Sequence, residues 1–299
     1  MLKLTTNSVL ASEVAEFLGK NLHGEDLAIY KPGTIDTISN NCIIYLNKDD
    51  LPHLANVRNF VEVLVLSPVD LGPSAPASFI VTQNPELDFI HIINHFFSKT
   101  ITPMKHPHAV VEEGAAIGRD VSLLAGCFIG PEVEIGEGSI IFQNVVITGK
   151  VKIGNNCIIK ANSTIGSEIF DFVFGEKEWE QRPQIGTIWI GDNVWIGANT
   201  TIEKGSLSDT IIGNGVKIDD LVQIGSGSTI GADSIIAAGT VICTHVNIGK
   251  KCWVAPHTSI LQNLKIGDGA TIGLGSVVIH DLECGIVAAG NPAKQIGKK

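Results

Sequence analysis

The sequence predicts a mainly β fold: a parallel β-helix of about eight stacked coils, preceded by a small α/β domain. Three observations carry that prediction. Beyond residue 110 an aliphatic side chain recurs at every sixth position, glycine accounts for 32 of 299 residues, and aromatic residues make up only 6% of the chain. Glycine is well above its usual share of about 7% without any matching excess of proline, so it belongs to tight, regular turns and not to a linker.

The first hundred residues lack the repeat. Ser12 to Leu18 predicts a short helix, the apolar runs Cys42 to Leu46 and Val61 to Leu66 predict buried strands, and Glu86 to Phe97 predicts an amphipathic helix. Residues 1–102 are therefore expected to form the α/β domain. The segment ITPMKHPHA, with Pro103 and Pro107, leads into the repeat.

The repeat is expected to occupy 103–281. It runs from Val111 through Ile117 and Leu123 to Ile165 without a break, returns at Ile190, Ile196 and Ile202, and continues from Ile212 to Val278. Of these 25 positions 21 are Ile, and glycine follows directly in 13. A period of six matches neither the 3.6 of a helix nor the 2.0 of an ordinary strand. It matches short strands that each turn one branched side chain inward and are separated by turns needing small or φ-permissive residues. Three strands per coil give 18-residue coils stacked at about 4.8 Å, each satisfying the backbone groups of the next. The period fails twice, and the segments 167–189 and 203–211 are expected to leave the coil as loops. Loops on a rigid scaffold are where function concentrates. Residues 282–299 form a separate C-terminal tail.

Charge and composition exclude several classes of function. Lys and Arg number 21 against 31 Asp and Glu, a net charge of −10, which argues against a nucleic-acid surface. No stretch reaches the 18 to 20 apolar residues of a membrane span. The N-terminus carries no secretory pattern, so a cytoplasmic location is expected. Cys42, Cys127, Cys157, Cys243, Cys252 and Cys284 show no CxxC spacing and are expected to be buried free thiols, with no metal site.

One stretch is specific. PQIGTIWIGDNVWIGANTTIEKGSLSDTIIGNGVKIDDLVQIG, residues 183–225, resembles the middle of the LpxD family, the UDP-3-O-(3-hydroxyacyl)glucosamine N-acyltransferases of lipid A synthesis. Ser167 to Phe172 with Trp179 is similar to the aromatic loop of that family. Tyr45-Leu46-Asn47 and Asn84-Pro85 are similar to its nucleotide-binding domain. The resemblance implies a left-handed coil and a homotrimer with active sites between neighbouring rods. Two departures stand beside it. The family's general-base His falls on Ser226 and a second His on Asn263, and the tail is similar instead to that of coenzyme A-dependent sugar acetyltransferases.

The resemblance implies transfer of an acyl group from a thioester to the amino group of a nucleotide-linked amino sugar in lipopolysaccharide or surface-glycan synthesis. The tail and the acidic charge favour acyl-CoA as donor. The alternatives are the lipid A step with 3-hydroxyacyl-ACP (acyl carrier protein) and UDP-3-O-acylglucosamine, and a catalytically silent homologue that binds a nucleotide sugar. Acyl transfer needs a neutral amine, an aligned thioester and oxyanion donors. A hydroxyl is no base at neutral pH, so the role expected of Ser226 passes to His245 or Asp219, or to the bound substrates themselves. His257 and His280 are further imidazoles. Thr244, one full coil after Ser226, matches the family's oxyanion donor through its backbone N–H. Asp220, beside Asp219, is expected to orient an ammonium. Phe170, Phe172 and Trp179 are candidate substrate contacts in the first loop, Tyr45 and Asn47 candidate contacts to a base or sugar. Gly290, Asn291, Pro292 and Lys294 resemble the tail that lies along coenzyme A.

Overall fold

The computed structural model describes residues 8–53, 62–72, 78–98 and 102–298. The chain divides into two compact units, Met1–Ile101 and Thr102–Lys299.

The N-terminal unit is a five-stranded sheet in the order Leu22–His23, Ser78–Val81, Val63–Ser67, Cys42–Tyr45, Lys31–Pro32. Only the pairing of Leu22–His23 with Ser78–Val81 is antiparallel. Both faces of the sheet are covered. Ile43, Leu64, Leu66 and Ile80 pack with Phe89 and Ile92 on one side, and Cys42, Ile44, Val63 and Val65 form a second cluster. Strands buried on both faces read as unbroken apolar runs, which is why Cys42–Tyr45 and Val63–Ser67 are legible without alternation. Val61, at the start of the second expected strand, lies outside the described residues.

The first helix spans Ala11–Leu18 and stops at Gly19, whose φ of 62° provides the left-handed cap. The second begins at Pro85, with the Asn84 side chain accepting the Leu87 N–H at 3.2 Å, and is α-helical only to Ile92. Ile93–Phe97 loosen into a π turn, so the α-helix expected to reach Phe97 ends short of it.

The second unit is a parallel β-helix. Its three faces have ten, nine and eight strands, and the ten-stranded face includes two from the tail. Register follows the hexads. Ile141 pairs with Ile159, Ile129 with Ile147 and Ile135 with Ile153, each pair one coil apart. The inward Ile129, Ile147, Ile196, Ile224, Ile242 and Ile260 are wholly buried, each worth about 1.5–3 kcal/mol relative to exposure. Ile117 is the exception at 36% exposed, because it lies on the terminal strand of its sheet.

Both breaks in period are extrusions that leave the ladder intact. Ile153 pairs directly with Ile190 and Ile165 with Ile202, across the first extrusion; Ile190 pairs with Ile212 and Ile202 with Ile224, across the second. The first extrusion is not a plain loop. It contains an antiparallel hairpin of Phe172–Phe174 with Trp179–Gln181. In the tail, Ile286–Ala289 adds parallel to Thr271–Ile272, and Lys294–Lys298 returns antiparallel to it as the last strand of that face. No helix among the described residues is long and apolar enough to cross a membrane.

Candidate active site

The corners of the prism set the site. Because each coil repeats the path of the last, a corner residue stacks on its counterpart one coil later. The His245 N–H donates to the Ser226 carbonyl at 2.9 Å, and the Asn263 N–H to the Thr244 carbonyl at 3.1 Å. Against this corner, beneath both extrusions, lies a cleft of about 790 Å³ bounded by Phe170, Glu203, Gln223, Cys243, Thr244 and His245 among others.

The structure thus brings together Phe170, Thr244 and His245. The Thr244 N–H has no acceptor among the described residues. Phe170 is 90% exposed and separates the cleft from an adjoining pocket of about 420 Å³, which it shares with Asp171, Phe172 and Trp179. An ion pair of 2.8 Å between Arg182 and Asp171 braces that wall.

Sequence reasoning missed Glu203 as a member of this group. It ends the strand Thr201–Glu203, directly after the inward Ile202. Its carboxylate accepts the Gln223 Nε2 at 3.1 Å and the Ser226 N–H at 3.1 Å, and the residue is 9% exposed. Burial pushes this carboxyl above the ordinary range, with the two hydrogen bonds opposing the shift. Burial and the Glu203 charge together push the Cys243 thiol up as well. The one available signal was position. At the positions that directly follow a hexad aliphatic, only Glu112, Glu203 and Asp219 are acidic, and Glu203 alone of these borders an extrusion.

Several expected site residues stand elsewhere. Ser226 is fully buried, and its Oγ accepts the Ser206 N–H at 3.1 Å; it anchors the 203–211 extrusion and does not line the cleft. The same extrusion is tied to the first one by Ile185 N–H to Ser206 O, Gly186 N–H to Gly205 O and a Lys204–Glu168 ion pair of 3.1 Å, which holds the Glu168 carboxyl below its ordinary range.

Asp219 and Asp220 occupy the preceding corner. One hexad is one face of the prism, so an offset of one hexad moves to the next corner and only a full coil returns. Asp219 there lies beside Trp195, Lys217 and Trp253, and Asp220 accepts the Ala198 N–H at 2.6 Å. Asn263 does belong to the column of His245 but is exposed to solvent; its neighbour Gln262 borders the cleft. His257 stacks over Gly239 at a different corner, and His280 is exposed.

Gly290, Asn291 and Pro292 form the turn between the two tail strands, and Lys294 starts the second; none of them borders the cleft. In the N-terminal unit Tyr45 packs its ring 5.0 Å from Phe89. Burial, with Glu86 and Asp50 nearby, raises its phenol. The Asn47 N–H donates to Asp50 at 2.8 Å. Of the six thiols, Cys243 is half-buried at the cleft and Cys284 is exposed, so the expectation of uniform burial fails at these two.

Fold and cleft together define a transferase of the hexapeptide-repeat class: residues 132–167 and 209–244 match the family described as bacterial transferase hexapeptide (six repeats). The chain is 35% identical to the UDP-3-O-acylglucosamine N-acyltransferase of Bordetella pertussis over 313 residues, covering 93% of this chain and 86% of the relative. The protein belongs to that family and is an acyltransferase. Among solved structures, LpxA from Acinetobacter baumannii is similar with a TM-score of 0.59 and 28% identity, over 64% of this chain and 73% of that one. The UDP-N-acetylglucosamine acyltransferase of Francisella novicida has a TM-score of 0.61 and 26% identity, over 66% and 71%.

Proposed function

We propose that this protein transfers a 3-hydroxyacyl group from an acyl carrier protein thioester to the amino group of UDP-3-O-acylglucosamine, a step of lipid A synthesis, acting as a cytoplasmic homotrimer. The observation that carries the reading is 35% identity over 93% of the chain to a protein named for that acceptor and that bond. It supports that acceptor and that bond. The placement of Gly290 to Lys294 off the cleft supports a carrier-protein donor over the acyl-CoA that the tail favoured.

The cleft suits the chemistry. A free amine attacks the thioester carbonyl, and the C–N bond forms as charge gathers on the carbonyl oxygen. The Thr244 N–H lies on the wall where that charge is to be met. The ammonium of the tetrahedral adduct then loses a proton, the C–S bond breaks and the thiol leaves. His245 and Glu203 are the two side chains of the cleft suited to move that proton. Phe170, Phe172 and Trp179 offer apolar surface for an acyl chain or a base.

The test pairs donors. With UDP-3-O-acylglucosamine as acceptor, kcat/KM with 3-hydroxyacyl-ACP is expected to exceed that with the matching acyl-CoA by at least tenfold. Equal or higher efficiency with acyl-CoA overturns the donor assignment. Failure to acylate the amine with either donor overturns the acceptor.

A further inference from the structure

We infer that Glu203 is the side chain that takes the proton from the acylated amine. The inference rests on the acyltransfer reading above and names the catalytic group within it.

Depth separates the two proton acceptors. His245 stands at the corner turn with a backbone φ of 57° and an exposed side chain. Glu203 lies on the floor, one coil before Gly225 and two before Cys243, in the column of residues that follow the inward aliphatics: Ile202 pairs with Ile224, and Ile224 with Ile242. Glu203, Gly225, Cys243 and Thr244 all border the cleft, and Gly225 lets the backbone of the next coil approach closely. A Cβ at Gly225 would come within 2.7 Å of the Cys243 carbonyl carbon and 2.8 Å of the Thr244 nitrogen.

The carboxylate is also held. The Gln223 amide binds one oxygen and the Ser226 N–H the other, leaving each oxygen a further lone pair for an incoming N–H. Ser226 is in turn pinned to the second extrusion. The charged or titratable groups around the cleft are Cys243, His245 and the Asp171–Arg182 pair. None of them forms an ion pair with Glu203, and among the described residues no cation pairs with it.

The amine nitrogen bonds to the thioester carbon, and its N–H proton passes to a Glu203 oxygen. The C–S bond breaks with its electron pair on sulfur, and the same proton moves on to the thiolate, leaving an amide, a free thiol and an ionised Glu203. Once the nitrogen has bonded to the carbonyl carbon it is a cationic, acidic centre, and a carboxylate is a competent acceptor for its proton.

The experiment measures pH–rate profiles for wild type, Glu203→Gln, Glu203→Asp and His245→Ala with 3-hydroxyacyl-ACP. The acceptor is UDP-3-O-acylglucosamine, which offers an amine. Wild type is expected to acylate it with an acid limb above the ordinary carboxylate range. Glu203→Gln is expected to lose about 10²–10⁴-fold in kcat with KM within threefold and to lose the acid limb. Glu203→Asp is expected to recover part of the rate, and His245→Ala to keep the limb. A Glu203→Gln variant that melts like wild type and turns over within threefold of it overturns the inference. So does an acid limb that vanishes in His245→Ala and survives in Glu203→Gln. If wild type does not acylate the amine, the functional reading falls and this inference with it; an active wild type with an equally active Glu203→Gln overturns this inference alone.

Discussion

Gly225 is where one atom decides the shape of the cleft. Its φ is ordinary, so what it supplies is space: any Cβ there meets the backbone of Cys243 and Thr244, which cannot swing aside as a flexible side chain would. Gly225→Ala is therefore expected to cost about 1–3 kcal/mol through overpacking. It is also expected to reduce kcat/KM by more than tenfold, because the displaced backbone carries the Thr244 N–H. Thermal melts read the first effect and steady-state kinetics the second. Thr244 and His245 were legible in the sequence because the offset of one coil is a geometric certainty once the coil is recognised. Glu203 was not, because an acidic side chain at the edge of a loop usually faces water, and only the extrusion folding over it makes it a buried group. Ser226 misled for the opposite reason: its side chain turns inward and binds the Ser206 N–H.

At the scale of elements, the two extrusions act as one roof. The Ser206 N–H binds Ser226 Oγ, the Ile185 and Gly186 amides bind Ser206 and Gly205, and Lys204 reaches Glu168. Removing the buried hydroxyl with Ser226→Ala leaves the Ser206 N–H unsatisfied, at about 1–3 kcal/mol. The expected result is faster amide hydrogen exchange across 203–211 than in the remaining coils, and a rise in KM larger than the fall in kcat. Unchanged exchange in that segment would show that the roof is held without Ser226. The period breaks announced both extrusions and their lengths. The Phe172–Phe174 and Trp179–Gln181 hairpin stayed hidden because it has no buried face to impose alternation: both strands are exposed throughout. Asp219 stands one face away from the cleft because adjacent hexads belong to different corners, a distinction that the period alone does not display.

At the scale of the whole molecule, each coil of the second unit contacts only its neighbours, so its ends carry its vulnerability. The tail covers one of them. Ile286 and Ala288 are buried on the face that continues from Thr271–Ile272, and Leu282 bridges to Ile266. Deleting 282–299 uncovers an unpaired strand edge, the usual template for association between chains. A lower melting temperature and concentration-dependent growth in size by light scattering are expected. A variant that stays as stable and as dispersed as the full chain would remove the capping role. This function of the tail was not readable beforehand, because its sequence resemblance pointed to a ligand, whereas its backbone completes a sheet.

The corner column also has a bearing on ancestry. Because successive coils place backbone in nearly the same position at a spacing of about 4.8 Å, a chemical role is tied to a site along the axis more than to a particular residue. A side chain lost from one rung can be replaced by one from an adjoining rung that borders the same stretch of cleft. Glu203, which accepts the Ser226 N–H from the next coil and borders the cleft, stands in that relation to Ser226. A scaffold of this kind lets lineages exchange their reactive groups while the interior isoleucines stay as they were.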